Sequence, residues 1–75
     1  MSDTIPERRT LTINGETRTV RASTVTTLLA ELGHDPLQRG IAIAVNDEVV
    51  PRSRWSERIL REGDRVELVS AVQGG

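Results

Sequence analysis

Thr10-Leu11-Thr12-Ile13-Asn14-Gly15-Glu16-Thr17-Arg18-Thr19-Val20-Arg21 is the stretch on which the fold turns. Polar and apolar residues alternate over Thr10 to Ile13 and again over Thr17 to Arg21, the period-two pattern of strands with one buried face. Asn14-Gly15 lies between the two runs. A two-residue type I′ turn needs positive φ at both central positions, and Asn-Gly meets that need at least cost. The segment therefore predicts a β-hairpin with Leu11, Ile13 and Val20 on its buried side.

Downstream of the hairpin the period changes. Val25, Leu28, Leu29 and Leu32 recur at i, i+3, i+4 and i+7, one apolar stripe of a helix about nine residues long. Ser23 or Thr24 offers the N-cap hydroxyl, Gly33 suits the C′ position, and Pro36 forbids continuation. His34 to Gly40 reads as a loop. Ile41-Ala42-Ile43-Ala44-Val45 is a third strand with its large residues on one face and only Ala42 and Ala44 on the other. Asn46-Asp47-Glu48 turns the chain into a short fourth strand at Val49-Val50, which Pro51 ends or confines to an edge. A charged crossover, Arg52 to Leu60, carries Trp55, Ile59 and Leu60. After the turn at Glu62-Gly63-Asp64, Arg65 to Val69 forms the last strand, with Val66 and Leu68 inward and Val69 and Ala71 outward.

The order strand, strand, helix, strand, strand, strand is α+β, with one main helix packed across a mixed sheet of about five strands. A β-grasp arrangement satisfies it, with the first and last strands parallel at the centre. Residues 1–9 are expected to be a loose leader, 10–70 the β-grasp domain, and 71–75 a flexible Gly-Gly tail.

Composition narrows the function. Ten basic residues, all Arg, against eleven acidic ones give a formal charge of −1, which argues against a nucleic-acid footprint. Trp55 is the sole aromatic, so there is no base-stacking platform. The absence of Cys excludes a disulfide framework, a thiolate metal site and a thiol nucleophile. No apolar run approaches a membrane span and no signal-peptide pattern opens the chain, so a cytoplasmic location is expected. At 75 residues, stability of roughly 4–11 kcal/mol leaves little core in which to build an active-site cavity. A carrier or binding module is favoured over an enzyme.

No active-site constellation emerges. His34, the only His, reads as a solvated residue at the helix C-terminus, and the acidic residues are scattered through turns. Trp55 is expected to pack under the crossover, and Arg52, Arg54, Arg58 and Arg61 to form a solvated face. The candidate chemistry lies at the end of the chain. Gly74-Gly75 has no Cβ and high backbone freedom, so such a tail suits a narrow channel leading to another protein's active site. A carboxylate is a poor electrophile until adenylation converts it to an acyl phosphate open to sulfur or nitrogen nucleophiles. Gly75 is thus the expected reacting residue, with Val72, Gln73 and Gly74 threading the partner. Ala42, Ala44, Val69 and Ala71 are expected to form a shallow apolar docking patch beside the tail.

Several stretches carry a family resemblance. They are Ile13-Asn14-Gly15-Glu16, Thr24-Val25 with Leu28-Leu29, and Val45-Asn46 with Glu48-Val49-Val50-Pro51-Arg52 and Trp55. Gly63-Asp64 with Val66-Glu67 and the terminal Ala71-Val72-Gln73-Gly74-Gly75 complete the set. In these the chain resembles the ThiS family, sulfur carriers of thiamine thiazole biosynthesis with a ubiquitin-like β-grasp fold. The resemblance implies that an adenylating enzyme akin to ubiquitin-activating enzymes spends ATP on the Gly75 carboxylate. A sulfur donor fed by a cysteine desulfurase would then make a thiocarboxylate, which thiazole synthase would consume. The chain itself would bind no cofactor, and no processing protease would be needed. The alternatives are the small subunit of molybdopterin synthase, which shares fold and tail chemistry, a protein-conjugation modifier, and a noncovalent β-grasp interaction domain. An acyl adenylate is attacked by amines, so the absence of Lys is expected to spare an activated tail from self-acylation; the plain alternative is Arg-rich codon usage.

Overall fold

Five strands and one helix follow in the expected order in the computed structural model, which describes residues 8–71. They are β1 (Arg9–Ile13), β2 (Glu16–Val20), α1 (Val25–Glu31), β3 (Ile41–Val45), β4 (Glu48–Val49) and β5 (Arg65–Ser70), with a 3-10 turn at Arg52–Arg54 before β5. The sheet order is β2-β1-β5-β3-β4. β1 and β5 are parallel, and every other neighbouring pair is antiparallel. This is the mixed β-grasp sheet that the element order implied.

Local chemistry explains each element. Asn14 and Gly15 take φ of 51° and 82°, so β2 resumes at Glu16, opposite Ile13, one residue earlier than the alternation suggested. α1 begins at a reciprocal cap. The Thr24 hydroxyl accepts from the Thr27 N–H, and the Thr27 hydroxyl accepts from the Thr24 N–H. It ends in a Schellman motif, where Gly33 at φ 91° donates to Ala30 (3.1 Å) and His34 donates through its backbone to Leu29 (2.8 Å). The helix has seven residues, shorter than the stripe predicted, because Leu32 is its C-cap.

Leu11, Ile13, Val20, Val25, Leu28, Leu29, Ile43, Val45 and Val66 are buried together, with Trp55 and Leu60 closing the core from the crossover. The Trp55 indole N–H donates to the Val50 carbonyl at 2.9 Å, so its one polar atom is satisfied inside.

Three expectations need correction. Arg9, assigned to the leader, is the first residue of β1; it is 9 % exposed and its guanidinium donates to the carbonyls of Arg21 and Ala22. A long stem and a fork of donors let Arg close that corner, where polarity alone suggested a loose end. The fourth strand is Glu48–Val49 instead of Val49-Val50, because the tight turn holds only Asn46 and Asp47, both at positive φ. Val50 lies past the strand, buried, donating to Ile43 at 2.9 Å. Ala71, assigned to the tail, donates its N–H to the Gly40 carbonyl at 2.7 Å. Residues 1–7 of the expected leader and 72–75 of the expected tail lie outside the described residues.

Candidate functional site

The strand register assembles the outer face of the sheet. Ala42 stands opposite Val69 across β3 and β5, and Ala44 stands opposite Glu67 on one side and Val49 on the other. Directly opposed residues bring their side chains close on one face. Ile41, Ile43, Val45 and Val66 fill the opposite, buried face. The result is an apolar strip across three strands: Val49, Ala44, Ala42, Val69. Val49 is 74 % exposed and Val69 63 %, and Ala71 is exposed one residue beyond β5. Of the predicted patch residues, Ala42, Ala44 and Val69 are therefore brought together in the sheet, and Ala71 continues the line toward the C-terminus. Val49 was missed, because its outward direction depends on the length of the β3–β4 turn.

Charge borders this strip. Glu67 lies beside Ala44, and Arg65, two residues earlier on β5, pairs with Asp47 at 2.7 Å. The hydrogen bond and charge of Asp47 raise the Arg65 pKa above its ordinary value, and Glu67 adds to the effect. A raised cationic pKa contributes stability that is lost only as pH climbs through it. Since Arg stays protonated far into alkali, this pair gives no pH dependence near neutrality. Next to Val49, a groove of about 250 Å³ opens between β4 and the following turn, lined by Val49, Pro51, Glu57, Arg54 and Arg58.

Three polar fixtures that sequence reasoning missed set the frame of this face. The Asn14 side chain donates to the Leu68 carbonyl (3.2 Å) and accepts from the Leu68 N–H (2.8 Å), so a side-chain amide extends the β1–β5 pairing. Buried Asp64 accepts from the Asn46 side chain (3.0 Å) and the Arg61 N–H (2.8 Å), while Asn46 accepts from the Arg65 N–H (2.9 Å). Arg52 lies 4.3 Å from the Trp55 ring centroid and donates to the carbonyls of Pro36 and Gln38. Arg52 is thus a clamp on the 34–40 loop, a correction to its place in a merely solvated Arg face. The available signal was the short Arg52-to-Trp55 spacing, which suits a guanidinium over an indole.

Among the described residues, no three His, Cys, Asp or Glu side chains converge as a metal site, and no helix is long and apolar enough to cross a membrane. What the arrangement presents is an exposed apolar strip on β4, β3 and β5. Val72, Gln73, Gly74 and Gly75, the expected threading and reacting residues, lie outside the described residues.

Fold and face together define a ubiquitin-like β-grasp domain. The sheet superimposes on the crystal structure of the thiamine biosynthesis protein ThiS from Geobacter metallireducens with a TM-score of 0.72 and 30% identity, covering 88% of this chain and 99% of that one. The chain belongs to the ThiS family, whose model matches residues 11–75. The sulfur carrier protein ThiS of Escherichia coli is 40% identical over 52 residues, 69% of this chain and 76% of that protein. A thiazole synthase of Paramagnetospirillum magneticum is 44% identical over 66 residues, 87% of this chain but only 20% of that protein. The chain thus spans about a fifth of the length of that relative.

Proposed function

We propose that this protein is a sulfur carrier for thiazole formation whose reacting group is the carboxylate of Gly75. The observation that carries the reading is the family match over residues 11–75, which includes the Gly74-Gly75 end. In this reading the carboxylate oxygen attacks the α-phosphorus of ATP on an adenylating enzyme, and pyrophosphate leaves. A persulfide on a sulfur donor loaded by a cysteine desulfurase then attacks the acyl carbon and displaces AMP to give an acyl disulfide, and a second thiol attacks the donor's sulfur, forming a disulfide with it and releasing the thiocarboxylate. Thiazole synthase takes up that sulfur, a partner supported by the occurrence of a similar stretch within a protein named thiazole synthase.

The division of labour follows from the residues present. The chain has no Cys, so no side chain is available to hold a persulfide or thioester, and the terminal acyl group is the remaining place for sulfur. The chain needs no cofactor of its own, since ATP and catalytic groups belong to the partners, and such chemistry is cytoplasmic. Val49, Ala44, Ala42, Val69 and Ala71 dock the adenylating enzyme, while Val72, Gln73 and Gly74 enter its channel. Glycines at the end matter because a channel that grips backbone leaves no space for a Cβ.

ATP–pyrophosphate exchange by a ThiS-adenylating enzyme tests this. The full chain should stimulate exchange, and the chain lacking Gly75 should not. Equal stimulation by both would refute the assignment of Gly75.

A further inference from the structure

The strand register sorts the whole outer face of the sheet. On β1 and β2 its residues are threonines, Thr10 beside Thr19 and Thr12 beside Thr17. On β3 and β4 they are Ala42, Ala44 and Val49. Charge on this face stands only on β5, between the two halves, at Arg65 and Glu67. The strand charges Glu16, Arg18 and Glu48 stand opposite Ile13, Leu11 and Val45 and so belong to the inner side. Arg65 is held by Asp47 at 2.7 Å. Glu67 is exposed, and among the described residues its carboxylate accepts no hydrogen bond and makes no ion pair. Its neighbour across β3 is Ala44, whose methyl group cannot cover it.

We propose that Glu67 is a specificity-determining residue of the docking face, and that the adenylating enzyme meets it with a cationic side chain set among apolar ones. This rests on the carrier reading above and adds to it the chemistry of the partner's surface. A purely apolar surface closing over Ala44, Ala42 and Val69 would strip water from the carboxylate beside them. A carboxylate desolvated without a partner is strongly unfavourable, and charged residues are depleted at the centres of interfaces. A guanidinium or ammonium opposite Glu67 removes that cost. It also steers the approach, and a partner presenting an acid or a bare apolar patch there is rejected. The neutral hydroxyls of the threonine half make no such distinction. Arg65 is already engaged by Asp47, which leaves Glu67 as the net charge of the face.

The test compares Glu67→Gln and Glu67→Arg with Glu16→Gln, an equal loss of charge at an exposed position on the inner side of β2. The KM and kcat of carrier-dependent ATP–pyrophosphate exchange are measured at low and high salt. Kd values for a ThiS-adenylating enzyme and for a thiazole synthase are measured by calorimetry. Glu67→Gln should raise KM, and Kd for the adenylating enzyme, about tenfold at low salt and flatten their salt dependence, with kcat within about twofold. Glu67→Arg should raise both by about a hundredfold, since like charges then meet. Glu16→Gln should match the wild type. Thermal unfolding should stay close to wild type in all three, as expected of exposed positions. Equal KM, Kd and salt dependence in Glu67→Gln and Glu16→Gln would overturn the proposal, as would a Glu67→Gln defect confined to thiazole synthase. A wild-type chain that binds the adenylating enzyme but gives no exchange faults the carrier reading instead, and the Kd of Glu67→Gln still decides the role of Glu67. A wild-type chain that does not bind that enzyme removes the enzyme from this face and the proposal with it.

Discussion

Arg52 shows how much one exposed residue can organise. Its guanidinium covers the Trp55 ring and donates to Pro36 and Gln38, joining the crossover to the loop that precedes Gly40. An exposed cation–π contact contributes about 0.5–1 kcal/mol, and each hydrogen bond adds about 0.5–1.5 kcal/mol net. Arg52→Ala should therefore lower unfolding free energy by about 1.5–4 kcal/mol in urea titration. Arg52→Lys should recover only part, because an ammonium cannot stack and fork at once. Full stability in Arg52→Ala would show that the clamp is incidental. By contrast, the Arg65–Asp47 pair has both side chains more than half exposed. It belongs with surface ion pairs of small net value, whatever its effect on the Arg65 pKa.

At the scale of elements, the join at the centre of the sheet is narrow: in the parallel pairing of β1 with β5 only Thr12–Arg65 and Ile13–Val66 are in register, as few pairs as β3 and β4 share. Asn14 lengthens it with two side-chain bonds to Leu68. Asn14→Ala removes both bonds and places a residue without a side-chain hydrogen bond at φ 51°. A loss of about 2–3 kcal/mol in denaturant unfolding is expected, with amide exchange at Leu68 rising more than at Ile43. Asn14→Gly keeps the φ but not the bonds and should fall between Asn14→Ala and wild type. This is also where sequence reading met its limit. The Asn-Gly turn was legible from positive-φ chemistry, and the strand pattern showed which face of β1 is buried. The second role of Asn14 was not legible, since it needs a strand more than fifty residues away to be placed beside it. Asn46 and Asp64 were hidden for the same reason: local sequence shows turn formers, while their mutual bond exists only after β3 and β5 pair.

For the whole molecule, the order of elements and most of the core followed from periodicity together with turn and cap residues, and the outward direction of Ala42, Ala44 and Val69 from periodicity. Period two separated Ile41, Ile43 and Val45 from Ala42 and Ala44, and Val66 from Val69. Val49 escaped because it depends on a detail no hydrophobic pattern encodes, a turn one residue shorter. The resulting body has a packed inner face and an apolar outer strip on β4, β3 and β5. Ala44→Asp and Val69→Asp put a charge where a partner would exclude water. Each should raise the KM for carrier-dependent ATP–pyrophosphate exchange by about tenfold or more, while leaving thermal unfolding close to wild type, since both positions face outward. Unchanged KM in both variants would remove the strip from the docking account.

The central claim is that sulfur is carried on the last residue of the chain. Its most direct test is the intact mass of the protein after incubation with ATP, a ThiS-adenylating enzyme and a cysteine desulfurase with its sulfur source. The account predicts a gain equal to exchange of one oxygen for sulfur, located to Gly75 by fragmentation and absent when Gly75 is deleted. The same gain in the chain lacking Gly75, or a sulfur located elsewhere, would contradict it.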